Sequence, residues 1–202
     1  MANTQATFGF KHLGYLSGAG PDYQQSTRLI QSTYSTKIYF GDPIQKSTAT
    51  SNYIIQGVGG TAAAGTAIIQ GIFAGCMYTP SGGLGIPQWS PYWPGAAAGD
   101  ATAYVIDAPN ALFLVASLST AIVTGNIGQY FGFNIGTGAT TGGAFSGATL
   151  DQSTATSVTT TLPFKLGSMY QGVGNGSDPT SSYNWTVVTF NNQIYRTLAG
   201  GV

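Results

Sequence analysis

The chain has 202 residues, enough to bury a sizeable core in one or two domains. Charged residues make up 6%, against about 25% in an average soluble domain, and the net charge is zero. This argues against disorder, which pairs high charge with few aromatics, and against a nucleic-acid footprint, because Lys11, Arg28, Lys37, Lys46, Lys165 and Arg196 are scattered rather than clustered.

All the acids are Asp, which prefers caps and turns, and Glu, the helix former, is absent. Thirty glycines with many Thr, Ser and Tyr point the same way, to strands and turns. So little charge of either sign gives weak colloidal repulsion and suits a protein packed against neighbours. No uninterrupted apolar run approaches the roughly 18 residues of a membrane helix, so no membrane partner is expected. The segment Met1 to Phe10 lacks the pattern of a secretion signal, and the single Cys76 precludes an internal disulfide framework; synthesis in a cytoplasm is expected.

In chain order, residues 1–21 are Gly-rich with spaced aromatics and read as an N-terminal arm or a first strand. Asp22 to Thr36 is polar and carries no clear element. Ile38, Tyr39 and Phe40 form a short strand, Gly41-Asp42-Pro43 is turn chemistry, and Ile44 begins a return strand. Tyr53 to Val58 is a further short β run. After a small-residue loop from Gly57 to Gly65, the apolar run Ala67 to Tyr78 reads as a strand bent or bulged at Gly71 and Gly75, with a buried helix as the alternative. It opens into a Gly/Pro loop that ends in an aromatic-proline knot, Trp89, Pro91, Tyr92, Trp93 and Pro94.

Tyr104 to Val115 reads as strand, Asp-Ala-Pro-Asn turn and strand, a hairpin or a corner. Ser119 to Ile127 is β-type with room for a short helical turn, and Gln129 to Gly136 is a strand with aromatics on both faces. Thr137 to Gly147 reads as an exposed loop or small-residue hairpin. Asp151 to Thr161 is β-compatible, and Leu162 to Tyr170 is a strand with Pro163 at its start or on an edge. Tyr183 to Arg196 closes the chain as two strands around an Asn191-Asn192 turn. The expected fold is all-β: a compact sandwich or barrel of about ten short antiparallel strands with long Gly/Ser/Thr loops, residues 22–202 forming a single β domain.

Residues fit for catalysis are scarce. The one histidine, His12, falls in the loose N-terminal segment, a poor place for a preorganised base. Cys76 lies in an apolar run, where a thiol is inert core. One His and one Cys cannot make a zinc site of the usual ligand set, and Asp22, Asp42, Asp107 and Asp178 sit in proline turns rather than as paired carboxylates. No Asp-x-Asp loop supports calcium, and the Gly-rich loops lack the phosphate-binding signature. No catalytic residue, metal site or cofactor is expected. The candidate residues are aromatic: Phe8, Phe10, Trp89, Tyr92 and Trp93. Trp and Tyr are enriched at protein interfaces, the same rings can stack on sugars, and they can equally plug the chain's own core.

Several stretches resemble a family of small structural proteins of tailed bacteriophages: Ala6 to Phe10, Ile38 to Ile44, Gln70 to Tyr78, Trp89 to Gly95, Ala103 to Asn110 and Leu162 to Phe164, in the same order. The resemblance implies a capsid decoration or cement protein on the outer surface of the virion, binding the major capsid protein and itself as a homotrimer, with no catalytic residue. A tail or baseplate component and a carbohydrate-binding β-module for host attachment are the alternatives. Contact through both the N-terminal segment and the Trp89 to Trp93 loop is expected.

Overall fold

The computed structural model describes residues 2–5, 8–22, 25–49, 52–59, 68–82, 84–140, 144–158 and 161–196. The chain is all-β and sandwich-like. Its strands are β1 (Lys11–Tyr15), β2 (Ser26–Ile30), β3 (Ile38–Tyr39), β4 (Pro43–Lys46), β5 (Ile54–Gln56), β6 (Ile69–Tyr78), β7 (Gln88–Ser90), β8 (Tyr92–Trp93), β9 (Ala101–Ile106), β10 (Ala111–Ala116), β11 (Tyr130–Asn134), β12 (Thr149–Thr156), β13 (Phe164–Met169) and β14 (Trp185–Phe190). One 3-10 turn, Thr124–Asn126, falls in the stretch read as having room for it.

The first sheet has the order β1-β10-β14-β13-β11-β12; the second runs β2-β9-β6-β4-β5, with β7 beside the far half of β6; β3 and β8 form a separate ribbon. All pairings between these strands are antiparallel. Each sheet curls towards closure: a bridge between Leu29 and Tyr53 draws the two edges of the second sheet together, and one between Ser117 and Leu150 does the same near the ends of β10 and β12. The Asp107 to Asn110 turn is a corner, since β9 and β10 lie in different sheets.

Two cores result. The first lies between the sheets and takes Phe113 and Val115 of β10, Phe131 and Phe133 of β11, Phe164 and Leu166 of β13, and Val188 and Phe190 of β14. The second, under the other face of the second sheet, holds Ile30, Ile44, Ile54, Phe73, Cys76 and Val105, closed by Ile38 and Trp93 of the ribbon. β6 serves both: Ile72 and Ala74 point into the first core, Phe73 and Cys76 into the second. Alternating side chains therefore all find apolar surroundings, which is why the strand reads as a continuous apolar run.

β6 is bulged twice, as its glycines suggest. It carries an extra residue between Ile69 and Gly71 against β4, and another between Phe73 and Cys76 against β9. Gly75 sits in the second bulge at φ +115°, and a Cβ there would lie 3.0 Å from both the Ser90 carbonyl oxygen and the Trp89 ring.

Four local expectations are corrected. β4 does not return along β3; it joins the second sheet, while β3 pairs with β8. Of the two readings of residues 137–147 the exposed loop is the one that fails: Ala144 and Ser146 are buried, and Ala139 N donates to Phe145 O at 3.0 Å, in keeping with a small-residue hairpin. Asn191 and Asn192 do not turn between two strands. Their Nδ2 groups donate to the carbonyls of Leu162 and Thr161, both at 2.8 Å, and the buried Gln193 donates to the carbonyls of Gln70 and Asp107, both at 3.0 Å. A polar strap thus ties the end of β14 to both sheets. His12 is not in a loose segment; it stands in β1, edge-on to Tyr15.

Candidate interaction surface

The N-terminal residues do not reach away from the domain. Asn3 donates from Nδ2 to the Asp178 carbonyl at 2.8 Å and accepts from Gly176 N at 2.9 Å, and Thr4 N donates to Asn175 Oδ1 at 2.7 Å. A few residues on, β1 pairs with β10 along the edge of the first sheet. Between them Phe8 stands edge-on to Trp185 at 5.1 Å, half-buried, while Phe10 stacks on Phe164 at 4.4 Å inside the first core. Phe10, just ahead of β1 with its N–H held by the Gly41 carbonyl, is therefore a core residue rather than interface surface.

The aromatic-proline knot divides in the same way. β7 and β8, which proline and glycine conceal in the sequence, lay the chain across the second sheet. Trp93 is wholly buried, donates its indole N–H to the Tyr34 carbonyl at 2.8 Å and meets Tyr78 edge-on at 6.1 Å. It is the plug of its own core, not an anchor for another protein. Tyr92 is half-buried and stacks on Tyr39 at 6.0 Å. Trp89 remains exposed, 56% accessible, on a strand held opposite Met77. It shares this end of the molecule with Leu84, 93% exposed, and Ile86, 65% exposed. No charged side chain occurs between Lys46 and Asp100, so this knob carries no ionic character of its own.

A second apolar surface lies on the first sheet. Leu114 and Trp185 project from the face opposite the core, and with Phe8, Lys11, Phe40 and Phe145 they line a cleft of about 290 Å³. Phe40 and Phe145 meet edge-on at 6.1 Å across a parallel bridge. The one signal in the sequence is Phe145 itself, a single large ring within an otherwise small-residue stretch.

Beneath this wall lies a junction where the sequence suggests only a turn, Gly41-Asp42-Pro43. The buried Asp42 carboxylate accepts from the Ser146 hydroxyl, from Tyr39 N at 2.8 Å and from Gln56 Nε2 at 2.8 Å. Phe10 N donates to Gly41 O at 3.0 Å and Ser146 N to Phe40 O at 2.9 Å. Gly9, at φ +64°, lies where a Cβ would fall 2.5 Å from the Ser146 Cβ, so only glycine lets the chains cross here. Burial holds the Asp42 carboxyl above the usual carboxylate range, against the lowering effect of its three donors.

Nothing else gathers into a reactive site. Among the described residues no three His, Cys, Asp or Glu side chains lie together, and one ion pair is formed, Arg28 to Asp107 at 2.8 Å. Burial pushes the Cys76 thiol up to about 12, so the reactive thiolate is suppressed at neutral pH. Burial also lowers the His12 pKa, and its Nε2 is engaged with the Gly14 carbonyl at 3.1 Å. No helix among the described residues is long and apolar enough to cross a membrane. Comparison with protein-family models, curated proteins and solved structures finds no significant match to any of them.

Proposed function

We propose that the chain is a structural protein of a tailed-phage virion that decorates the outer surface of the capsid and cements it by binding the major capsid protein. The observation that carries this reading is the exposed knob of Leu84, Ile86 and Trp89, presented beside a strand locked to β6 within an uncharged stretch. Large exposed apolar side chains mark protein contacts more often than chance, and Trp89, on a strand paired with β6, docks at little entropic cost. A neutral, charge-poor surface lets many copies crowd on a lattice, where modest contacts gain through multivalency. Self-association as a trimer belongs to the same proposal.

Quantifying the protein in purified particles tests it. Copy numbers comparable to the shell subunit are expected, together with loss of particle binding in a Leu84→Ser/Trp89→Ser variant that still folds. Protein confined to the lysate, or present only at the few tens of copies of a tail component, overturns the reading.

A further inference from the structure

We propose that the cleft walled by Phe8, Phe40, Phe145 and Trp185 is a socket for a partner polypeptide, taking one large apolar side chain flanked by an acidic residue that pairs with Lys11. The site lies on the first sheet, whereas the Trp89 knob lies on the second, so it is a separate surface. The inference does not require the virion reading.

Size limits what the cleft can hold. Small-molecule sites are typically about 300–1,000 Å³ and enclose most of their ligand. This cleft, at about 290 Å³, sits at the bottom of that range, with room for a single large anchoring side chain. Its walls are pre-formed. Phe40 and Phe145 belong to segments pinned by Ser146 N to Phe40 O at 2.9 Å and by the Ser146 hydroxyl on Asp42. Phe8 and Tyr170 brace the Trp185 ring at 5.1 and 5.2 Å. An anchor entering here would lose its own freedom without first ordering the socket.

Charge chooses the chemistry. Lys11 is the only charged residue of the lining, it is exposed, and it takes no part in an ion pair among the described residues. A carboxylate beside the anchor supplies its counter-charge. The chain's own exposed knob does not meet this demand, since no acidic residue occurs between Lys46 and Asp100.

Short random peptides panned against the full chain provide the test, followed by titration of an enriched synthetic peptide into wild type, Phe145→Ser and Lys11→Ser by tryptophan fluorescence. Both substituted side chains are exposed, and thermal melts confirm that the variants fold. Enriched sequences are expected to place Phe, Trp, Leu or Met next to Asp or Glu. Affinity should fall roughly tenfold or more in Phe145→Ser, the signature of a lost anchor contact. It should fall several-fold in Lys11→Ser, with the Lys11 effect shrinking at high salt. Enrichment that is equal on Phe145→Ser, enriched sequences without an acid, or phenylacetate binding as tightly as the peptide overturns the proposal. So does self-association of the chain that Phe145→Ser abolishes, which would make a second copy the occupant. Because no particle is involved, a failure here is distinguishable from a failure to find the protein on virions.

Discussion

Six phenylalanines, Phe10, Phe113, Phe131, Phe133, Phe164 and Phe190, fill the space between the sheets, whereas beneath the second sheet one tryptophan, Trp93, closes a pocket of Ile, Ala, Val and a single Phe. Five of these rings form a network in the first core: Phe164 stacks on Phe10 at 4.4 Å and on Phe190 at 6.0 Å and meets Phe133 edge-on at 6.0 Å, and Phe113 meets Phe190 edge-on at 5.0 Å. Loss of one ring leaves several that can shift. The second core is closed by a two-stranded ribbon whose main contribution is one indole. Redundancy in one place and dependence on a single side chain in the other follow from what covers each face: a six-stranded sheet, or a ribbon too small to be stable alone.

The largest expected effect tests that difference directly. Trp93→Ala should destabilise by about 4 kcal/mol, combining lost transfer energy with a cavity that the ribbon cannot collapse to fill. Phe164→Leu, a smaller change in the redundant core, should cost about 1 kcal/mol. Chemical denaturation of both variants measures the contrast. If Trp93→Ala cost no more than Phe164→Leu, the ribbon would not be a closure that depends on one residue.

Asp42 joins the two cores, and its substitution comes next in size. Its donors come from the ribbon (Tyr39), the second sheet (Gln56) and the segment that delivers Ala148 to the first core (Ser146). Asp42→Ala leaves these donors buried without an acceptor, at about 3 kcal/mol. Asp42→Asn should be far milder: its oxygen can take the two N–H donors while the Ser146 oxygen accepts from its amide. The pH dependence separates charge from shape. A carboxyl whose pKa is raised on folding binds its proton more tightly in the folded state. Its stabilising contribution is full below the unfolded value of about 4 and is lost as pH rises through the raised folded value. Asp100 and Asp178, lowered by hydrogen bonds from Tyr53 and Thr180, act in the opposite sense. The measurement is therefore the difference between wild type and Asp42→Asn: wild type should lose stability relative to the variant as pH rises from about 4. A constant difference would place the Asp42 pKa at its unfolded value.

Gly75 belongs to β6, the strand common to both cores, and Gly75→Ala should cost about 1–3 kcal/mol, from the strained φ and the crowding against Ser90 and Trp89. A neutral outcome in thermal melts would mean that β7 moves freely off β6.

The sequence makes β6 legible because both its faces are apolar and its two glycines sit where extra residues must be accommodated. β10, β11, β13 and β14 are legible too, since β-branched and aromatic residues gather in short runs between turn signals. β2 is hidden because it is an edge strand whose residues Ser26 to Ile30 are mostly polar or exposed. β7 and β8 are hidden because the Gly and Pro around them read as loop, and β8 finds its partner β3 only far back in the chain. Of the five aromatic candidates, the type of residue was legible but not its direction: Phe10 and Trp93 turn inwards, Trp89 outwards, and for the two tryptophans register decides which. The cleft was out of reach, since its six residues come from segments far apart in the chain.

Trp89 gives the smallest expected effect on stability and the sharpest contrast with Trp93, four positions on. Its ring backs onto Gly75 on one side, yet more than half of the residue remains open. Replacement by Ser removes few buried contacts, so the change in unfolding free energy should stay within about 0.5 kcal/mol. If the Leu84, Ile86 and Trp89 knob is a docking surface, that same substitution should weaken binding to purified particles by roughly tenfold or more. A Trp89→Ser protein that binds particles as wild type does would leave the knob without a role in attachment. One that unfolds would make Trp89, like Trp93, a part of the chain's own packing.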